Sequence, residues 1–348
     1  MNPHAQPWAI NADDFPADSF ASDQLEFLLG YAILAPSPHN TQPWLFRINA
    51  MDVDVFADRR RALRVTDPYD RELTLSCGAA LFNLRVAAEY FGHVYQVDLL
   101  PDPGDANLLA RFDLGLAGET SSEDILLFHA ITQRRTNRAA LRPDPLPEEL
   151  LAALAGAAQK ESAWLQFFTA ETDRNALADL IAEADRMQWA DKSFREELAR
   201  WLRTKPEQAR DGSLTHDLGV KDWMSFAGPA LVRTFDRGGV QAARDRELAL
   251  QSPTLAVLCT RGDEPRCWLQ AGQALQSVLL RARTENVWAS FLNPPIEVPE
   301  LRRRLTGMLA APGDPQVLLR LGYGLEAPAP APRRSPREVL IMHRTTHS

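Results

Sequence analysis

Cysteine is scarce. Cys77, Cys259 and Cys267 are the only three in 348 residues, an odd number with no CxxC pair. A disulfide framework and a thiolate zinc site therefore find no support, and a reducing compartment fits best. The seven histidines stand at 4, 39, 93, 129, 216, 343 and 347, with no HExxH and no close Cys/His pair, so no metal is implied. There is no GxSxG, no Walker A loop and no GxGxxG opening a helix. If the chain is an enzyme, the difficult chemistry belongs to a cofactor. No apolar run approaches the length of a membrane span, and MNPHAQPWAINADDFPAD lacks the basic start and apolar stretch of a signal peptide. The expectation is a soluble, cytoplasmic protein with no membrane partner. Positive charge is also in deficit. A net charge of −8 argues against a nucleic-acid partner, which would require a basic face. The clusters DRRRALR (58–64) and LRRRL (301–305) are expected to be solvated or locally paired.

What remains is an ordinary globular composition, 45% hydrophobic and 24% charged. The length suits about two domains, or one duplicated domain. Duplication has support in the sequence. QLEFLLGYAILAPSPHNTQPWLFRI (24–48) and EELLAALAGAAQKESAWLQFF (148–168) each show a helix pattern, a break, then Trp in a strand-like run. SCGAALFNLRVAAEYFGHVYQV (76–97) and QAGQALQSVLLRARTENVWASF (270–291) share an early Gly, Ala-Leu two residues later, helical periodicity and a strand-like end. The spacing grows from 120 residues for Trp44 to Trp164 to 194 for Gly78 to Gly272, so the second copy carries about 74 extra residues. Their expected seat is about 183–250, including the polar stretch RTKPEQARDGSLTHDLGVKDWMSFAG, which has the character of a lid or binding loop.

The densest polar feature is LAPSPHNTQPW (34–44), set between a helix pattern and the strand-like LFRI. Taken alone it could be a plain turn. QRRTNR (133–138) could likewise be a helix C-terminus, where Arg complements the dipole, and PRRSPRE (332–338) a polyproline linker.

Together these segments resemble the nitroreductase superfamily. APSPHNTQPW resembles its flavin-binding loop, RRTNR (134–138) its phosphate motif, and LLRLGYG (318–324) with PRRSPREVL (332–340) its C-terminal strand and basic extension. With WLQAGQALQSVLLRA (268–282), their order is similar to that of the Acg-like, single-chain branch with two fused modules. The resemblance implies an α+β, nitroreductase-like fold whose two tandem modules form an intramolecular pseudo-dimer. The expected modules are 1–122, carrying the loop, and 123–348, carrying RRTNR, the insertion and the basic extension. Each module retains what the other lacks, which implies one complete site between them and a monomer sufficient to form it.

That site would hold FMN. The resemblance assigns Arg134 to its phosphate, beside Arg135, with Thr136 as hydroxyl donor and Arg333 or Arg334 joining them. It places Arg138 near the pyrimidine edge of the ring, where a cation would favour the anionic reduced flavin. Ser37 and Asn40 would contact the ring and ribityl chain, with Pro36 and Pro38 stiffening the loop before the ligand arrives. Gln42 is expected either at the cofactor or supporting the loop, Trp44 in the core, and His39 as a loop residue rather than a proton donor. No catalytic side chain is required, because the hydride travels through the flavin N5. The implied function is an oxidoreductase passing electrons from NAD(P)H to a small nitro- or quinone-like acceptor. The competing expectation is a flavin-storing protein whose lid prevents turnover.

Overall fold

The computed structural model describes residues 7–204, 209–214 and 228–341. The first half runs α1 (Ala21–Ala32), β1 (Trp44–Asn49), β2 (Asp52–Ala57), α2 (Arg71–Tyr90), β3 (His93–Leu99) and β4 (Leu108–Ala117). A connecting helix α3 (Ser122–Gln133) follows, then α4 (Glu148–Lys160) and β5 (Trp164–Phe168). Next come α5 (Glu171–Ala190), α6 (Lys192–Trp201), the short strands β6 (Leu202–Arg203) and β7 (Ser213–Leu214), α7 (Gly228–Thr234) and α8 (Gly238–Gln251). The second half closes with β8 (Thr254–Thr260), α9 (Pro265–Thr284), β9 (Val287–Phe291), α10 (Pro294–Glu297), α11 (Pro299–Thr306), β10 (Asp314–Tyr323) and α12 (Pro336–Val339).

The architecture is α+β, with two four-stranded sheets of the same strand order, β1-β2-β4-β3 and β5-β8-β10-β9. All their strand pairs are antiparallel. Trp44 opens β1 and Trp164 opens β5, as the repeat in the sequence suggests. Trp44 is fully buried in the first core. α2 and α9 are equivalent 20-residue helices that lie against each other. Their contact is centred on Gly78 and Gly272, whose Cα atoms almost touch. A Cβ on Gly78 would stand 2.3 Å from the Leu269 carbonyl oxygen, and one on Gly272 would stand 2.0 Å from that of Leu75. The same 194-residue offset relates Leu75 to Leu269 and Gly78 to Gly272, so the contact is a pseudo-twofold one.

The two sheets differ in how they are covered. Along β3 half-buried and exposed positions alternate, as expected for a strand with one wet face. All seven residues of β8 are buried. One face of the second sheet packs on α4 and α9 through Leu154, Ala274, Val278 and Leu319. The other packs on α5, α8 and α11 through Leu177, Ile181, Ala249, Leu301 and Leu318. The connection from β5 to β8 is thus the insertion, and its helices supply a core face rather than a surface excursion. It begins at the end of β5, earlier than the expected 183, because α5 has an apolar stripe that reads as helix only once a sheet lies beneath it. Within the polar stretch 203–228, residues 205–208 and 215–227 lie outside the described residues.

The halves also interlock. Phe128, Ala130 and Ile131 of α3, which the sequence assigns to the second module, pack into the first core. Val339 joins them, and the Ile341 amide donates to the Phe46 carbonyl at 2.7 Å. The apolar run in VLIMHR (339–344) suggests a strand, but its described part does not form one. Val339 ends α12, Leu340 makes a single bridge to β1, and 342–344 lie outside the described residues. The basic clusters are paired as expected: Arg59 with Asp70, Arg60 with Asp58, Arg302 with Asp263 and Arg304 with Glu183. No helix among the described residues is long and apolar enough to cross a membrane.

The helix crossing makes a paired prediction. Gly272→Ala must force backbone apart and should destabilise the fold by about 1–3 kcal/mol, the usual cost of overpacking. Gly156→Ala in α4, where a Cβ meets nothing within 4 Å, should instead stabilise, by about 0.5–1 kcal/mol. Urea unfolding of both variants checks the contrast; similar effects at the two glycines would disprove the close approach.

Candidate functional site

A cavity of about 700 Å³ lies between the two halves and is roofed by the insertion. Pro36 to Asn40 line it from the first half, and Arg134 to Ala139 from the segment after α3. Leu75 and Ser76 of α2, Leu275 of α9, and Phe291 and Val317 of the second sheet supply its floor, and Arg333 closes one end. The structure therefore brings together the loop, RRTNR and the basic extension, although nearly 300 residues separate the first from the last.

The loop is held in an unusual conformation. His39, Asn40 and Gln42 have φ of 47°, 55° and 50°, in the left-handed region that side chains other than Gly seldom occupy. Such backbone persists only when its surroundings over-determine it. Here the Ser37 hydroxyl accepts the Gln42 amide at 2.9 Å. The Asn40 side-chain amide donates to the carbonyls of Gly212 and Pro332 at 3.2 and 2.9 Å, and its oxygen accepts from Arg333 at 2.8 Å. Gln42 donates to the Arg210 carbonyl at 2.8 Å and accepts the Arg334 amide at 2.8 Å. The insertion and the C-terminal segment thus both dock on the loop.

For two of the expected site residues the geometry favours one of the alternatives. Gln42 is fully buried and does not line the cavity; it supports the loop from behind. Arg334 does not line it either, because its guanidinium is spent on the carbonyls of Gln42 and Glu338. Asn40 borders the cavity, but its amide is committed to protein partners, so its role is structural as well.

The remaining basic residues gather at one end. Arg134 caps α3 through its backbone amide, while its side chain crosses to the Leu34 carbonyl at 3.2 Å. Arg333 donates to the carbonyls of Leu34 and Ala35. Burial, with Arg135 nearby, pushes the Arg134 guanidinium down to about 9, and burial alone pushes Arg135 down to about 10. Burial, with Arg134 and Arg135 beside it, holds Arg333 well below its ordinary value. None of the three is neutralised by a carboxylate among the described residues. The Nε atoms of Arg134 and Arg333 are buried without a hydrogen-bond partner. Uncompensated buried charge is costly, so this end is built for an anion. Thr136 and Arg138 line the cavity beside it, Arg138 at an exposed position.

Several lining residues carried no signal in the sequence. Trp8, from a short turn near the start of the chain, and the Pro-rich segment 326–332 wall the basic end. Glu72 of α2 and Glu297 of α10 meet from opposite halves. Burial raises both carboxyls, and mutual repulsion adds to the shift of Glu297, whose Oε2 accepts from Gln188 at 2.5 Å. Asp185 of α5 and Asp245 of α8 form a second acidic pair, contributed by the insertion. Only their neighbours in space mark these acids as special. Burial pushes the His39 imidazole down to about 4.

No protein-family model matches the chain. It is 30% identical over 325 residues to "Putative NAD(P)H nitroreductase Rv3131" of Mycobacterium tuberculosis (strain ATCC 25618 / H37Rv), with 92% of this chain and 91% of that relative covered. The chain belongs to the nitroreductase family. Its likeness to the acg nitroreductase of the same strain is 29% over 339 residues, covering 95% of this chain and 99% of the relative. To "Probable NAD(P)H nitroreductase PigM" of Serratia sp. it is 25% over 346 residues, covering 93% and 94%. Among solved structures, the FMN- and NADPH-dependent nitroreductase NfnB of a Sphingopyxis strain superposes with a TM-score of 0.41 at 20% identity, covering 62% of this chain and 98% of that one.

The acid pair of this nitroreductase-family chain predicts a pH dependence. Burial and Asp245 raise the Asp185 carboxyl to about 8, so the folded chain keeps a proton that the unfolded chain releases above its ordinary value of 3.8. The resulting stabilisation is full below that ordinary value and is lost as pH rises toward about 8. Asp185→Asn, which cannot ionise, should therefore gain thermal stability over wild type by a margin that widens from about pH 5 to about pH 8. Melting temperatures at the two pH values test this, and an equal margin at both would contradict it.

Proposed function

We propose that this chain is an FMN-dependent oxidoreductase that takes electrons from NAD(P)H and reduces nitro- or quinone-like acceptors. The observation that carries the reading is the unneutralised positive charge of buried Arg134 and Arg333 and half-buried Arg135 at one end of the cavity. A phosphate monoester carries nearly two negative charges at neutral pH and accepts paired hydrogen bonds from guanidinium groups. The Arg134 and Arg333 side chains, which line the cavity, fit that demand, with Thr136 beside them. The names of the curated relatives support a nicotinamide donor.

When bound, FMN would supply the hydride chemistry; the protein supplies binding, orientation and electrostatics. The loop Pro36–Asn40 offers a wall already locked in shape, so little ordering cost falls on the ligand. Leu75, Leu275, Phe291 and Val317 exclude water from the floor. Arg138, which lines the cavity at an exposed position, would be the cation that the resemblance assigns to the pyrimidine edge. The insertion, through Gln188, Trp189 and Phe194, shapes the space left for nicotinamide and acceptor in turn. All the walls come from one chain, so one FMN per monomer is expected.

The decisive experiment is anaerobic mixing of the purified, flavin-loaded chain with NADPH or NADH. Rapid bleaching of the flavin is the expected result; a protein that binds FMN but stays oxidised under both nucleotides is not a reductase. Arg134→Ala should weaken FMN binding by about 10- to 100-fold, the weight of a charged hydrogen bond. Arg59→Ala, already paired with Asp70 away from the cavity, should leave it unchanged. Equal affinities in wild type and Arg134→Ala would remove Arg134 from the phosphate site.

A further inference from the structure

We infer that Trp8 restricts this site to a flavin mononucleotide by walling off the phosphate end; the inference rests on the FMN reading above. Trp8 sits in a single turn, Pro7–Ala9, remote in sequence from every motif that suggested the site. Its indole lines the cavity. The Arg135 guanidinium lies over the ring with Cζ 3.7 Å from the centroid, and that of Arg333 lies 4.9 Å from it. The indole Nε1 donates to the Ala331 carbonyl at 2.7 Å, tying the ring to the Pro-rich segment that lines the same end. Two of the three cations, half-buried Arg135 and buried Arg333, are therefore stacked on one flat apolar surface, and that surface is pinned.

The arrangement has two effects. A cation over an indole is stabilised by the ring quadrupole, more so when both are desolvated, so Arg135 and Arg333 stay charged and oriented without an acid partner. The indole also occupies the space beyond them. A monophosphate ends at the guanidiniums, whereas a flavin dinucleotide continues from that phosphate into a second phosphate and an adenosine. The continuation needs an outlet past Arg135 and Arg333, where the indole and its bond to Ala331 stand. Among the described residues of that wall, neither Trp8 nor the segment 326–332 carries a positive charge to receive a second phosphate. Removing the ring should therefore weaken the mononucleotide and admit the dinucleotide. A residue that merely stapled the N-terminal segment would weaken both flavins alike.

The test is equilibrium binding of FMN and of FAD to the full chain freed of flavin, followed by quenching of flavin fluorescence. Wild type, Trp8→Ala and Trp8→Phe are compared. Wild type is expected to prefer FMN, and Trp8→Ala to reduce the FMN-to-FAD preference by at least about tenfold, the scale of one desolvated cation–π contact plus a lost steric wall. Trp8→Phe, which keeps a ring, should retain most of the preference. Should Trp8→Ala fail to fold, Trp8→Leu, with apolar bulk but no ring, carries the same comparison. An unchanged preference with equal loss for both flavins would overturn the inference, as would a wild type that binds the two equally. Both of those results leave the FMN reading standing. A wild type that takes up neither flavin overturns that reading, and the role of Trp8 with it.

Discussion

The crossing of α2 and α9 at Gly78 and Gly272 is the constraint on which the rest of the molecule hangs. Helices with ordinary side chains at a contact stand about 8–10 Å apart. Here the backbones meet, with carbonyl oxygens where Cβ atoms would otherwise lie. The contact sets how far apart the two sheets stand and which turns of the helices share a space. Glu72, Leu75 and Ser76 on one helix and Leu275 on the other reach the same cavity because the crossing lies just beyond them. The segments that complete the site, the loop after α1, the turn after α3 and the tail after β10, are then brought within hydrogen-bond reach of one another.

Charge is distributed in that cavity with a chemical asymmetry. The acids can surrender their charge: buried Glu72, Glu297 and Asp185 all shift toward the protonated form. The arginines resist doing so, since a guanidinium remains protonated at neutral pH even when burial moves Arg134 to about 9. At neutral pH the basic end therefore keeps its full sign, while burial draws the acidic lining toward its neutral form. The cavity is polarised more strongly than a count of its residues suggests, and the imbalance is met by a ligand or by the indole of Trp8.

Much of this was legible in the sequence, and the parts that were not share a cause. Helix and strand periodicity revealed the repeat, and the matched residues Trp44 with Trp164 and Gly78 with Gly272 occupy corresponding places in the two halves. The loop, RRTNR and Arg333 were visible because their residue types are unusual together. Gln42 and Arg334 carried the same signal yet turn away from the cavity, since a motif does not say which side of a loop a side chain leaves from. The start of the insertion is expected too late, at about 183, because the apolar stripe of α5 acquires meaning only against the second face of the sheet. Trp8 and the carboxyl pairs were invisible for a similar reason. Burial and stacking belong to tertiary neighbours, and one indole or one aspartate in a polar segment looks like any other.

The position of Arg333 in the chain has a consequence for biogenesis. Its guanidinium binds the carbonyls of Leu34 and Ala35 and the side chain of Asn40, nearly 300 residues upstream. Both sheets are already specified before residue 330 leaves the ribosome, yet the strained loop lacks its last restraints and the basic end lacks one of its cations. A nascent chain halted there would present folded halves around an incomplete pocket. The chamber is thus complete only once the tail has packed back across the first half.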